Sequence, residues 1–111
     1  IIEHIILGDQ WPGAAAWHAK WRNITVPNLL QCFTTLGSRD DISDKIQQIT
    51  VPTLVVHGDS DNAITLPRGQ AMAQAIPNAQ LAVIAGAGHA ANLTHPEAVN
   101  PVLEAFLATL A

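Results

Sequence analysis

Val51-Pro52-Thr53-Leu54-Val55-Val56-His57-Gly58-Asp59-Ser60-Asp61 is the stretch on which the fold turns. Its apolar core does not alternate with polar residues, as a strand with one wet face would, so it reads as a strand covered on both sides. Gln80-Leu81-Ala82-Val83-Ile84-Ala85 repeats the pattern. Strands of this kind belong to parallel sheets, which need a crossover between them. Pro67 to Ile76 supplies one: it reads as a helix with Met72, Ala75 and Ile76 turned inward, stopped by Pro77-Asn78. Together these segments predict a βαβ unit with strands near 52–57 and 80–85.

Downstream, the second strand opens into a polar loop from Gly86 to His95, then a helix near 96–110 begun by Pro96 with Glu97 in its first turn. Val99, Leu103, Phe106 and Leu110, flanked by Val102 and Leu107, make one apolar face. Pro101 stands at the sixth position of that helix, where it removes a donor, so a kink or a late start is expected. Upstream the chain reads as helical. Ala14 to Trp21 forms one helix, Thr25 with Pro27 starts another that Gly37 ends, and Ile42, Ile46 and Ile49 mark a third.

Composition narrows the function classes. With 111 residues the chain suits one domain, and 49% hydrophobic against 13% charged residues implies a buried core rather than disorder. The formal charge is −4 and the five Lys and Arg residues are scattered, so no basic stripe offers itself to nucleic acid. Apolar runs are too short for a membrane span or a signal segment, and a soluble, cytoplasmic protein is expected. Cys32 is the only cysteine, which excludes an internal disulfide and a thiolate zinc cage and fits a reducing compartment. The first residue is Ile1 rather than Met, so an expected N-terminal part is missing from the sequence.

In open α/β sheets, reactive groups gather at the carboxyl ends of the strands. Here the first strand runs into His57-Gly58-Asp59-Ser60-Asp61 and the second into Gly86-Ala87-Gly88-His89. Neighbouring strands lie about 5 Å apart, so a carboxylate at one end and an imidazole at the next can meet. A carboxylate-held imidazole is an oriented general base. At this level either Asp59 or Asp61 could be the acid.

This ordered set of motifs resembles the closing part of the α/β-hydrolases. The resemblance covers residues 38 to 110, because Arg39-Asp40-Asp41 leading into Ile49-Thr50-Val51-Pro52 is similar to the return from a helical cap to the core. It implies an α/β fold: residues 1–37 as the end of the cap, then 38–111 as a β-α-β-α core segment with parallel strands. It makes Asp61, three residues after Gly58, the triad acid, and His89 the triad base. Asp59 is then left to brace the turn through backbone amides. The family's serine elbow, G-x-S-x-G, is absent from the sequence. Ser38 and Ser43 flank a helix start, and Ser60 lies in the acid turn.

The expected function is therefore the acid and histidine half of a serine hydrolase acting on a small ester, lactone or related acyl substrate, with no cofactor. A dehalogenase or epoxide hydrolase with an aspartate nucleophile would share that half, and a non-catalytic fragment or interaction module is the competing class. The partner expected in any of these cases is the missing N-terminal half or a second copy, because two strands alone leave sheet edges and faces unpaired. Simpler roles are assigned elsewhere. His57 reads as a structural imidazole, a metal bound among His57, Asp59, Asp61 and His89 lacks a supporting motif, and Trp17 and Trp21 read as packing rather than a substrate pocket. The glycosylation-like triplets at Asn23 and Asn92 lack a secretory context.

Overall fold

The computed structural model describes residues 2–8 and 11–110. Three helices come first: α1 (Ile2–Leu7), α2 (Ala14–Arg22) and α3 (Val26–Gly37). They are followed by a single 3₁₀ turn (Ile46–Gln48), β1 (Thr53–Gly58), α4 (Leu66–Ala75), β2 (Ala79–Ile84), the one-turn α5 (Ala91–Thr94) and α6 (Pro96–Ala108). β1 and β2 pair in parallel, with Thr53 opposite Ala79 and Gly58 opposite Ile84. The expected βαβ unit is present.

Local chemistry sets the element limits. β1 starts at Thr53 rather than Pro52, because proline has no N–H for the ladder, and Thr53 N–H donates to Asn78 O across the strand entry. β2 ends before Gly86, whose φ of 72° is a left-handed conformation that favours glycine. Thr25 caps α3, its hydroxyl accepting the Asn28 N–H, with Pro27 in the first turn where no intrahelical donor is needed.

Several expectations are corrected. The third upstream helix does not form: the Asp41 carboxylate accepts the Ser43 N–H at 2.8 Å, and this local turn competes with helix initiation, leaving only the 3₁₀ turn. Met72 and Ala75 do not turn inward on α4; both are exposed, and Gly69 is the buried residue of that helix. Ile76 is buried as expected. The loop from Gly86 to His95 contains α5, and α6 begins at Pro96 and runs through Pro101 rather than starting late.

The core is small. Ile84, Ala87, Ala91 and Val99 form one buried cluster with Val56 and Val102 packed against it. β1 alternates its faces: Val56 joins this cluster, whereas the His57 ring points to the other side and lies against Gly69 of α4.

Much apolar surface is left uncovered by the described residues. Along α3, Val26, Leu30, Phe33 and Leu36 are each more than half exposed, and that helix buries no residue. Val83 on β2 and Leu103 and Leu107 on α6 are also exposed. Met72, Ile42, Ile46 and Ile64 line an open apolar groove of about 520 Å³ beside α4. Met72 and Ala75 of α4 border this groove, so the side of the helix expected to face inward is exposed among the described residues.

Candidate active site

Two strand ends and the loops that leave them build the site. Gly58 closes β1 where the chain passes hard against the exit of β2, and a Cβ there would stand 2.1 Å from the Ala87 carbonyl oxygen. Only glycine tolerates that approach. Beyond it, Asp59 N–H donates to Ile84 O and Ser60 N–H to Ala87 O, so the two exits are laced together through backbone. The Asp59 carboxylate adds a cross-strand clamp, accepting the Gly86 N–H at 2.8 Å and the Ser60 hydroxyl at 3.0 Å. Bracing the turn through a backbone amide is the role expected of Asp59.

Asp61 turns under this lacing and is buried, at 7% exposure. Its Oδ1 accepts two backbone donors, Ala63 N–H at 2.8 Å and Ile64 N–H at 2.9 Å. Its Oδ2 lies 2.9 Å from His89 Nδ1. Burial pushes the carboxyl pKa up. The Ile64 N–H, the His89 ring and the Ala63 N–H, with the attraction of His89 when charged, outweigh that and hold it below the ordinary carboxylate range. The acid is therefore an anion at neutral pH despite its burial.

His89 sits one residue before a fixed point: Ala90 N–H donates to Ile6 O of α1 and Ala90 O accepts from Leu93 and Thr94 at the start of α5. An ionised carboxylate only accepts, so Nδ1 of a neutral His89 carries the hydrogen and Nε2 is left with its lone pair. The ring is 38% exposed while the Asp61 side chain is 5% exposed. One imidazole nitrogen is thus held by a buried anion, while the ring as a whole stays over a third exposed.

His57 completes the surroundings. Its Nε2 lies 2.8 Å from Ile64 O and 3.6 Å from Asp61 Oδ2, and the ring is seated on Gly69, where a Cβ would stand 2.6 Å from Nδ1. Sequence reasoning gave this residue a structural role and missed its link to the acid loop. The available signal was Gly69: a glycine inside a helix costs about 1 kcal/mol relative to alanine, which marks a close approach.

The remaining candidates stand apart from this pair. All three serine hydroxyls are engaged locally, Ser38 with Thr35 O, Ser43 with Asp41 and Ser60 with Asp59. Trp17 and Trp21 contact each other on α2 at 6.1 Å between ring centroids, with the Lys20 ammonium 4.5 Å above Trp17. His18 pairs with Glu3 at 2.7 Å, and His95 shares a hydrogen bond with the Thr94 hydroxyl. Among the described residues no group of three or more His, Cys, Asp or Glu side chains is arranged to hold a metal ion, and no helix is long and apolar enough to cross a membrane.

The arrangement has counterparts in known proteins. A family model described as TAP-like protein, one of the α/β-hydrolase families, matches residues 17–111. The chain belongs to the α/β-hydrolases. A polyketide synthase of Burkholderia thailandensis is 45% identical over 112 aligned positions, which cover 96% of this chain and 5% of that one. A pimeloyl-[acyl-carrier protein] methyl ester esterase of Xanthomonas axonopodis pv. citri is 34% identical over 89 residues, 80% of this chain and 35% of that one. The crystal structure of a bromoperoxidase from Bacillus anthracis superposes with a TM-score of 0.60 at 36% identity, covering 64% of this chain and 26% of the other. The chain spans about a third, or less, of the length of the curated relatives it matches. As an α/β-hydrolase it therefore presents one part of the fold, in which the β1 and β2 exits hold Asp61 against His89.

Proposed function

We propose that this chain supplies the acid and base of a serine-type α/β-hydrolase acting on a small ester, lactone or related acyl substrate. The nucleophile and oxyanion-hole loop would stand on a segment outside these 111 residues, and residues 1–37 would be the end of the helical cap over the site. The single observation that carries the reading is the buried Asp61 carboxylate 2.9 Å from Nδ1 of the partly exposed His89 ring. The uncovered face of α3 and the two-stranded sheet support the need for a covering segment. The methyl ester esterase among the relatives favours an ester over other hydrolase substrates.

In this reading His89 Nε2 takes the proton of the serine hydroxyl as its oxygen bonds to the substrate carbonyl carbon. Asp61 stabilises the imidazolium that results without itself being protonated. The bond from that carbon to the alkoxy oxygen then breaks as the imidazolium gives its proton to the departing alkoxide, which becomes the alcohol and leaves the acyl group on serine as an ester. Water attacks that ester in the second half of the cycle, its proton passing to Nε2 and then to the serine oxygen, and the acid is released.

Two measurements test this. The complete hydrolase, treated with a serine-directed fluorophosphonate, is expected to be labelled on one serine outside these residues and to lose hydrolysis of short p-nitrophenyl esters in parallel. An enzyme that stays fully active and unlabelled contradicts the serine reading. The isolated 111-residue chain, in turn, is expected to sediment as an oligomer or aggregate at low micromolar concentration. Each large apolar side chain left wet forgoes about 1.5–3 kcal/mol, against a whole-domain margin of about 5–15 kcal/mol. A cooperatively folded monomer would contradict the need for a covering segment.

A further inference from the structure

The geometry points to His57 as a positioning residue that acts through the backbone of Ile64 to hold Asp61 toward His89; this rests on the catalytic reading of that pair. The backbone of Ile64 is held by two groups, through two successive peptide units. Its N–H donates to Asp61 Oδ1 at 2.9 Å, and its carbonyl faces His57 Nε2 at 2.8 Å. A carbonyl only accepts, so the His57 nitrogen carries the hydrogen and donates. Nε2 therefore bears a proton that points at the carbonyl and, at 3.6 Å, toward the Asp61 carboxylate.

Three features separate this from a histidine that merely fills space. The side chain is only 11% exposed, so its single strong donor bond is made where water competes little. The ring has a seat made for it, since any side chain at position 69 would run into Nδ1. Its partner carbonyl belongs to Ile64, one of the two residues whose N–H groups hold the acid. Without the His57 donor the peptide between Ala63 and the start of α4 at Leu66 loses its tie to β1. The Ala63 and Ile64 amides that hold Oδ1 can then shift, and draw the carboxylate away from its alignment with His89. Misplacement of a supporting group by about 1 Å can cost on the order of a hundred-fold in rate.

The test uses the complete hydrolase with His57→Leu, His57→Gln and Gly69→Ala, assayed on a p-nitrophenyl ester. The low-field proton of His89 Nδ1–H is followed by NMR. Leucine fills the space without a donor and is expected to lower kcat about ten-fold or more, with KM changed less than about two-fold and the His89 proton shifted or broadened. Glutamine restores an amide donor near the Nε2 position and is expected to recover most of the loss and the proton signal. Gly69→Ala, which pushes the ring off its seat, is expected to resemble His57→Leu, and it decides the matter should the leucine variant not fold. Equal losses for leucine and glutamine, or parental kcat and an unmoved His89 proton in Gly69→Ala or His57→Leu, would overturn the role of His57. An active His89→Ala enzyme would instead overturn the underlying reading of the site, which keeps the two failures apart.

Discussion

Replacing His89 by alanine in the complete hydrolase lowers kcat by about a thousand-fold or more while the protein remains folded, if Asp61 and His89 are its acid and base. The expectation of a retained fold comes from burial. The His89 ring is over a third exposed, so its loss opens no sealed cavity, and its backbone stays tied by Ala90 to Ile6 O. What is lost is one donor to a buried carboxylate whose Oδ1 keeps both amides. Leaving one acceptor short costs about 1–3 kcal/mol, visible as a drop in melting temperature of several degrees. Steady-state kinetics beside a thermal melt separates the two effects. A His89→Ala enzyme within ten-fold of the parent, or one that does not fold, contradicts this account.

Asp61→Asn should approach the same loss of activity by another route. The amide oxygen of asparagine can still accept the Ala63 and Ile64 N–H groups, but its NH₂ then faces His89 Nδ1 and demands the opposite tautomer. A base with its proton on Nε2 cannot take another from the nucleophile, and a wrong tautomer of this kind costs about 10⁴ in kcat in a serine-protease triad. Asp59→Asn is expected to cost less than about ten-fold, because its amide oxygen keeps the Gly86 N–H. Equal or reversed losses at the two positions would transfer the role of acid to Asp59.

The same substitution carries a stability signature. Asp61 is held below the ordinary carboxylate range in the folded protein, so its contribution is complete above the unfolded value of about 3.9 and is lost as pH falls through the lowered folded value. Melting temperature followed into acid should therefore fall less steeply for Asp61→Asn than for the parent.

The strand ends were legible in the sequence because their chemistry is local. A non-alternating apolar run closing on a glycine, with polar residues at once after it, fixes both the strand and the end at which its side chains emerge, which singles out His89 and the pair Asp59 and Asp61; the choice of Asp61 over Asp59 rests on the family resemblance. That Asp59 binds backbone amides was legible as the habit of a short acidic side chain in a turn, but not that the amide would be Gly86 N–H on the other strand exit. Other features were not. The 42–49 segment has helical spacing of isoleucines, yet spacing does not reveal that Asp41 will bind the Ser43 N–H first. α5 is four residues long, too short for a period to show. The facing of α4 depends on which surfaces are covered, and its Met72 side borders a groove that the described residues leave open. His57 was half legible: its burial at a strand end could be read, but its hold on Ile64 O depends on how the acid loop returns.

A double-substitution cycle tests most directly whether Asp61 works through His89. In the complete hydrolase, kcat is measured for His89→Ala, Asp61→Asn and the two combined, on the same ester. If the acid acts only by orienting and stabilising the imidazole, it has nothing left to do once the ring is gone, and the double variant should lie within about three-fold of His89→Ala alone. A double variant slower by the product of the two single losses would mean that the two residues act independently, and would contradict the account.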